Sequence, residues 1–443
     1  MENNLIKLIQ NAGVIGAGGA GFPTHVKVNA KVEYVIVNGA ECEPLLRVDQ
    51  QLLVEKTDKI LFALNEIMRK TGAKQGYIAL KKKYEDAIIQ LEKGVEKYSN
   101  MSVFPMGNFY PAGDEQVMVY EVLNRIVPEG GIPLDVGVIV INVETLLNVY
   151  NAILDIPVIE KYVTVTGAVK NPVTIKVPVG ISIAEAIELA GGSTVDAFKV
   201  IDGGPMMGKI QEDMNKPITK TTKGLILLPR AHSLLKSKER DIKTMLHLAK
   251  TACEHCSLCS EVCPRNLLGH KIFPDKLIRL ANYNSTCESD TSATEAFLCC
   301  ECALCEYACV MDLQPWKLHV FLKSQMNEAG IKNPNRRIPH AAHPYRAFKR
   351  FPVSKLITKL GLSKYDTKAP LLEVDSNSFS VVRIPLKQHI GMKATPVVSV
   401  GEVVQQGQLI GSIEEGKLGA NVHASIAGRI DSIDDVQVTI KKC

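Results

Sequence analysis

Ten of the twelve cysteines in this 443-residue chain lie between residues 253 and 309. Eight of them form two runs with one spacing. Cys253, Cys256, Cys259 and Cys263 spell C-x2-C-x2-C-x3-C ahead of Pro264, and Cys299, Cys302, Cys305 and Cys309 repeat it with Val310 in the proline position. Three thiolates two residues apart can wrap one corner of an iron–sulfur cubane, and the fourth arrives after a short helical turn. Zinc is the structural alternative, since it also takes four thiolates, but zinc knuckles pair two C-x2-C arms, whereas a triple arm with a fourth cysteine three residues on is cubane spacing. The spacing therefore predicts two [4Fe–4S] clusters. Cys300 breaks the register as a spare buried thiol, Cys287 lies in the polar insert between the runs, and Cys42 and Cys443 are remote. Such clusters carry electrons one at a time, so the rest of the chain must contain a source of single electrons.

A second chemistry-bearing stretch is "GAGGAGFPTHVK" at 16–27, with Gly16-x-Gly18-x-x-Gly21. A dinucleotide fingerprint needs a strand before it and a helix after it. Here the preceding "NLIKLIQNAG" has helical periodicity and Phe22-Pro23 interrupts the segment after the loop, so an ordinary Rossmann loop is not expected. Glycines would still let backbone N–H groups approach a phosphate or a flat ring. A plain turn without ligand is the rival reading. Further on, "VEYVIVNGAECEP" (32–44) reads as a buried strand that ends in Asn38, Glu41 and Glu43, at the strand end where α/β proteins bind ligands. "FYPAGDEQ" (109–116) and "GVIVINVETL" (137–146) add a turn and another strand with polar residues at its end. The run of elements is helix, loop, strand, helix (50–71), strand (76–80), helix (83–96) and strand.

The two cysteine runs resemble those of bacterial two-cluster ferredoxins, in which the fourth cysteine of each run ligates the other cluster. That resemblance implies one cluster on Cys253, Cys256, Cys259 and Cys309, and the other on Cys299, Cys302, Cys305 and Cys263. The glycine loop and the three segments after it together resemble the flavin-carrying subunit of respiratory complex I. The likeness is closer still to the RnfC-like and cobalamin-reductase family of flavin–iron–sulfur proteins, which share the Y-P-x-G turn, a "VTVTGAV" strand and two ferredoxin runs. The resemblance implies FMN lined by Gly16, Gly18, Gly19 and Gly21, with Lys27 against its phosphate and Asn38 and Glu41 holding the ring or ribityl groups. Tyr110, Gly113 and Glu115 match the second turn, and Asn142 and Thr145 the phosphate-side segment. Glu43 would orient NADH as the donor. Two departures weaken the NADH site: Ala40 stands where complex I has an aspartate, and "VNAKVEY" lacks the aromatic residues expected after the loop lysine.

The chain divides accordingly into a Rossmann-like FMN and NADH domain (1–157), an SLBB-like β-grasp domain (158–228) and a two-cluster ferredoxin-type helical domain (229–328). A basic linker (329–372) and a C-terminal barrel-sandwich hybrid (373–443) complete it. The β-grasp expectation rests on "YVTVTGAVKNPVTIKVPVGISIAEAIELAGG", which reads strand, turn, strand, helix. In the C-terminal module Lys417 falls where a biotinyl lysine would sit, but Gly416 and Leu418 flank it, so an unmodified lysine is expected. From Lys332 to Lys368 there are ten Lys or Arg against one acid, a local +9 inside a net charge of +5. That stretch is expected as a solvated connector packed over its neighbours.

Composition is that of a soluble globular protein, 46% hydrophobic and 22% charged. No apolar run reaches membrane-spanning length, and the N-terminus lacks the pattern of a secretory signal. A cytoplasmic protein is expected, placed inside a bacterial microcompartment by the resemblance, with a corrinoid or corrinoid-handling protein as partner, a shell protein as a further one, and no nucleic acid. The expected activity is electron transfer from NADH through FMN and two [4Fe–4S] clusters to a corrinoid. The alternative within the same family is a subunit of a membrane NADH:ferredoxin complex.

Overall fold

The computed structural model describes residues 2–283 and 291–443; Cys287 lies outside them. The N-terminal region is built on four parallel strands in the order Met101–Met106, Gln75–Lys81, Tyr34–Gly39, Val138–Asn142. Valine and isoleucine dominate the Tyr34–Gly39 and Val138–Asn142 strands, as a sheet covered on both faces requires. Chain order reverses at the Tyr34–Gly39 strand. From there the chain moves outward to one side through Gln75–Lys81 and returns on the other side with Val138–Asn142. That reversal opens a crevice at the carboxyl ends of the two strands.

The expected helix over 50–71 is two helices, Val48–Glu55 and Thr57–Thr71, which meet at Lys56. The second ends at Gly72, whose left-handed backbone glycine adopts without steric cost. Ahead of the cysteines stand two helices, Ser233–Glu239 and Ile242–Ala252, separated where the Asp241 side chain accepts the Thr244 amide and starts the second.

The next sheet has six strands, ordered Leu371–Glu373, Val173–Pro178, Glu160–Gly167, Gly224–Pro229, Phe198–Asp202, Lys209–Gln211. Its first strand comes from the end of the basic stretch, far along the chain. The same stretch also adds Phe351–Pro352 antiparallel to Phe109–Tyr110. Arg337 pairs with Glu129, Arg346 and Arg350 pair with Glu121, and Lys349 pairs with Glu261. The basic stretch is therefore a strap that ties the first sheet domain to the cysteine region through these matched cations. The last 63 residues form two small sheets, of four and three strands.

One hydrophobic core runs through the six-stranded sheet, the strap and the C-terminal sheets. It reaches Leu45 and Tyr110 on one side and Cys302, Ala303 and Leu304 on the other. Burial of this shared apolar surface holds the domains as one body.

Candidate functional site

The two cysteine runs adopt the same backbone. In the first, His255 and Ser257 have positive φ (52° and 60°); in the second, Glu301 and Ala303 do (58° and 60°). These pairs flank Cys256 and Cys302 identically. Short helices begin at Leu258–Glu261 and Leu304–Ala308, entered from Ser257 and Ala303 at nearly the same ψ (6° and 4°). Non-glycine residues avoid this conformation unless their surroundings require it. Its recurrence aligns Cys299, rather than Cys300, with Cys253. Left-handed residues beside the middle cysteine also turn main-chain N–H groups toward the sulfurs; Glu301 N, for one, donates to Cys299 Sγ at 3.4 Å.

Cys263, Cys299, Cys300, Cys302 and Cys305 line one cavity, whose other walls are mostly apolar: Pro264, Ile272, Pro274, Ala303 and Trp316, with His319. Burial pushes the Cys263 and Cys299 thiols up to about 12. Cys259 is also pushed to about 12, first by burial, then by Asp275 and by the sulfurs of Cys309 and Cys253. Cys263, the fourth cysteine of the first run, thus lines the same cavity as Cys299, Cys302 and Cys305 of the second. Among the described residues no three His, Cys, Asp or Glu side chains converge as the ligands of a single ion do. A cubane asks for something different: one thiolate at each iron corner, around an apolar wall. The cysteine-lined cavity fits that group.

The glycine loop lies in the first sheet domain. Thr145 Oγ1 accepts the Ala17 amide at 2.9 Å, and Lys161 Nζ donates to the Ala17 carbonyl at 3.2 Å. Among the described residues the exposed amides of Gly18, Gly19 and Ala20 have no protein acceptor. A Cβ added at Gly19, where φ is +115°, would meet nothing within 4 Å. An open turn with three unspent N–H donors suits a phosphate or the polar edge of a flat ring. Beneath it, Asn142 caps its helix through Oδ1 and donates from Nδ2 to Asp49 at 3.0 Å. Lys161 is paired with Glu144 in full burial, and Lys223 with Asp49. Burial raises the Glu144 carboxyl and lowers the Lys161 amine, each opposed by the other's charge.

At the neighbouring strand end Asn38 Nδ2 donates to Gly113 O at 2.9 Å. A side chain at Gly113 would press on Cys42 Sγ at 3.1 Å. Glu41 is buried at φ 36°, its carboxylate accepting the Asp49 amide (2.9 Å) and the Gln50 amide and side chain. Burial, then Asp49, holds its carboxyl above the usual range. Lys81 donates to the Glu41 carbonyl at 3.2 Å and is pushed down to about 8 by burial. Lys27 is held by Glu115 at 2.7 Å.

Two expected site residues face elsewhere. The Glu43 carboxylate accepts the amides of Met206 and Met207, both at 2.9 Å, from the "DGGPMMGK" loop of the six-stranded sheet domain. Gly204 makes this approach feasible, since a Cβ there would lie 2.1 Å from the Glu43 carboxylate. Tyr110, 1% exposed, spends its hydroxyl on the Cys302 carbonyl, to which it donates at 2.8 Å. Beside it Arg265, two residues past Cys263, pairs with Asp114 at 2.8 Å. The flavin-type turn and the second cysteine run are therefore in direct contact.

Sequence reasoning missed Asp49, Asp114, Glu144, Lys161, Lys223 and Arg265. Asp114 and Glu144 sit inside the 109–116 and 137–146 segments, and Arg265 just after the first run. Lys161 and Lys223 had no local signal, because their partners lie in another domain.

Family comparisons agree with this layout. Residues 9–151 match the Nuo51 FMN-binding domain, 162–209 the SLBB domain, 252–314 the 4Fe-4S dicluster domain and 363–442 the RnfC barrel sandwich hybrid domain. The chain is 41% identical to the cobalamin reductase PduS of Citrobacter freundii, over 98% of this chain and 95% of that one. It is 40% identical, with the same coverage, to the Salmonella typhimurium cobalamin reductase PduS. It is 35% identical to one subunit of the Na(+)-translocating ferredoxin:NAD(+) oxidoreductase complex of Acetobacterium woodii, over 59% of this chain and 58% of that one.

Proposed function

The chain belongs to the family of the cobalamin reductase PduS, and from that premise we propose that it passes electrons from NADH through FMN and two [4Fe–4S] clusters to a corrinoid. The observation that carries this reading is the Tyr110 junction. Its main chain belongs to the turn packed on the Asn38 strand end, and its hydroxyl is bonded to Cys302 in the second cysteine run. A residue shared by both sites keeps them within one buried core, where short-range electron transfer needs them.

When bound, FMN supplies hydride acceptance and single-electron release, and the clusters supply one-electron steps. The chain's own residues do the rest. The Gly18, Gly19 and Ala20 amides receive the flavin's phosphate side, with Gly16 and Gly21 shaping the turn. Thr145 and Lys161 fix the loop from below at Ala17. Asn38, Glu41 and Asn142 set the polar edge of the crevice, and Gly113 lets the second turn approach. Lys27 and Glu115 neutralise one another at the rim. The inner cluster takes Cys299, Cys302, Cys305 and Cys263; the outer takes Cys253, Cys256, Cys259 and Cys309. Cys256 is exposed, which suits the outer set to handing electrons to a partner. Glu43 serves the donor side indirectly, by holding the Met206–Met207 loop.

On the same reading the protein works in the cytoplasm within a microcompartment, with a corrinoid-handling protein and a shell protein as partners. No described helix is long and apolar enough to cross a membrane. A second reading, an Rnf-type subunit exchanging electrons with ferredoxin, draws on the partial match to the Acetobacterium woodii protein.

The test is anaerobic reconstitution of the full chain with iron, sulfide and FMN, then stopped-flow mixing with NADH and aquacobalamin. The expected result is flavin bleaching by NADH and reduction of the corrinoid. If excess NADH leaves the flavin oxidised while reduced ferredoxin bleaches it, the donor assignment fails and the Rnf-type reading replaces it.

A further inference from the structure

The glycine loop is held from outside at both of its shoulders. Its neck is closed by its own backbone: Gly16 N donates to the Phe22 carbonyl at 2.9 Å, Gly21 N to the Gly16 carbonyl at 3.2 Å, and Ile15 bridges to Pro23. The C-terminal module reaches this neck, where Ile390 N donates to the Gly21 carbonyl at 3.0 Å. The contact is close, since a Cβ at Gly21 would lie 3.0 Å from the Thr221 side chain and 3.3 Å from the Gln388 and His389 backbone. On the other shoulder, a Cβ at Gly13 would come within 2.2 Å of the Asn421 carbonyl, again of the C-terminal module. Lys220, between the Lys209–Gln211 and Gly224–Pro229 strands, joins these contacts. Its main-chain amide donates to Gln388 Oε1 at 2.9 Å, and its Nζ donates to the Gly13 carbonyl at 2.7 Å and the Asn421 carbonyl at 2.9 Å.

Lys220 is 3% exposed, and among the described residues its side chain has these two carbonyls and no carboxylate as partners. Burial pushes its amine down to about 7. An apolar side chain of similar length would fill this space at lower cost, because a buried amine without a counter-charge regains only part of its lost hydration. What the lysine adds is direction: it fixes one carbonyl of the flavin domain against one of the C-terminal module. The open amides of Gly18, Gly19 and Ala20 lie between the two held shoulders. Resting on the reading that these amides receive the flavin's phosphate, we propose that the C-terminal module locks the glycine loop in its phosphate-receiving shape, with Lys220 as the positioning residue. A loop held in that shape before the ligand arrives spends less of the binding energy on ordering itself. The C-terminal module is then a working part of the flavin site and not a separate carrier domain.

The test uses the full chain, reconstituted anaerobically with iron and sulfide, freed of flavin, and titrated by flavin fluorescence with FMN and with riboflavin, which lacks the phosphate. Wild type should prefer FMN. Lys220→Met should keep the iron of both clusters and bind riboflavin as wild type does. Its preference for FMN over riboflavin should fall by about tenfold, the size of one hydrogen bond to a charged group. Ile390→Pro deletes the amide that Gly21 receives, at a residue 48% exposed, and should lower the preference in the same way. Equal loss of both ligands would mean that Lys220 supports the fold only, and an unchanged preference would mean that the module does not shape the loop; either result overturns the proposal. Should wild type bind riboflavin as tightly as FMN, the loop does not take the phosphate, and it is the underlying reading that fails. Where Lys220→Met does not fold, Ile390→Pro decides by the same ratio.

Discussion

The two cysteine runs share a backbone and differ in where their side chains go. Around the first, Glu254, His255, Cys256 and Leu258 are exposed. Around the second, Cys302, Ala303 and Leu304 are buried in the core that also holds Tyr110 and Leu45. The geometry of the loop is a requirement of the cysteines, so both copies keep it. Burial is decided by the x residues and by the elements that pack on them. An alanine at 303 and an unexposed leucine at 304 let the six-stranded sheet domain close over the second run, while glutamate, histidine and an exposed leucine leave the first run at the surface. One motif thus yields an inner and an outer site.

The largest expected effect breaks this comparison at its ligands. Cys256→Ser, at the exposed site, should lose the outer cluster and leave flavin content and thermal stability near wild type. Cys305→Ala, at the buried site, should lose the inner cluster and lower the melting temperature by several degrees, because it leaves a cavity in a buried core and removes metal-linked folding energy. Iron, flavin and melting measurements on both variants check it. Equal destabilisation would show that burial does not distinguish the two sites.

Next in size is the flavin loop. Gly19 has φ +115° and open space around it, so a valine there is strained in the backbone and stands where the ligand would lie. Gly19→Val should purify without flavin while keeping the iron of both clusters. Flavin retention would remove the loop from the site.

The cysteine spacing and the helix–loop–strand order of the first 150 residues were legible because they are local patterns. The left-handed residues were not: His255, Ser257, Glu301 and Ala303 carry no glycine to announce them. Glu43 looked like a free carboxylate beside the flavin because its partners, the Met206 and Met207 amides, lie more than 160 residues away. The basic stretch looked like a connector because charge dominates its composition; its pairing of Phe351 with Tyr110 is a single two-residue contact that no periodicity reveals. Domain types could be read from the sequence, but the contacts between domains could not.

A smaller effect sharpens the comparison at the one hydroxyl that joins the flavin-type turn to the inner run. Tyr110→Phe keeps the ring and deletes the bond to the Cys302 carbonyl. Leaving that carbonyl unpaired in the core should cost about 1–3 kcal/mol. Both clusters and FMN should remain. The inner cluster's EPR signal should shift and the outer one's should not, which a merely structural role for Tyr110 would not produce.

The last effect is a pH dependence at the joint between the first run and the flavin domain. His270 comes one helical segment after Cys263; it is 3% exposed and its Nε2 lies 3.0 Å from the Val127 carbonyl. Burial, with the Arg265 charge second, pushes it down to about 4 from an ordinary 6.5. Between those values the unfolded chain binds a proton that the folded chain does not, so stability falls as pH drops from 6.5 to 4 and changes no further below that. Glu129 and Arg337 face the same ring with opposite signs, so the main cost is desolvation. A depression of that size corresponds to about 3 kcal/mol across the window. His270→Gln retains a donor for Val127 and cannot titrate. Its melting temperature should stay near wild type at pH 7 and exceed wild type by a growing margin from pH 6.5 down to 4. Parallel curves for the two proteins would mean that the joint between the first run and the flavin domain does not open on protonation of this residue.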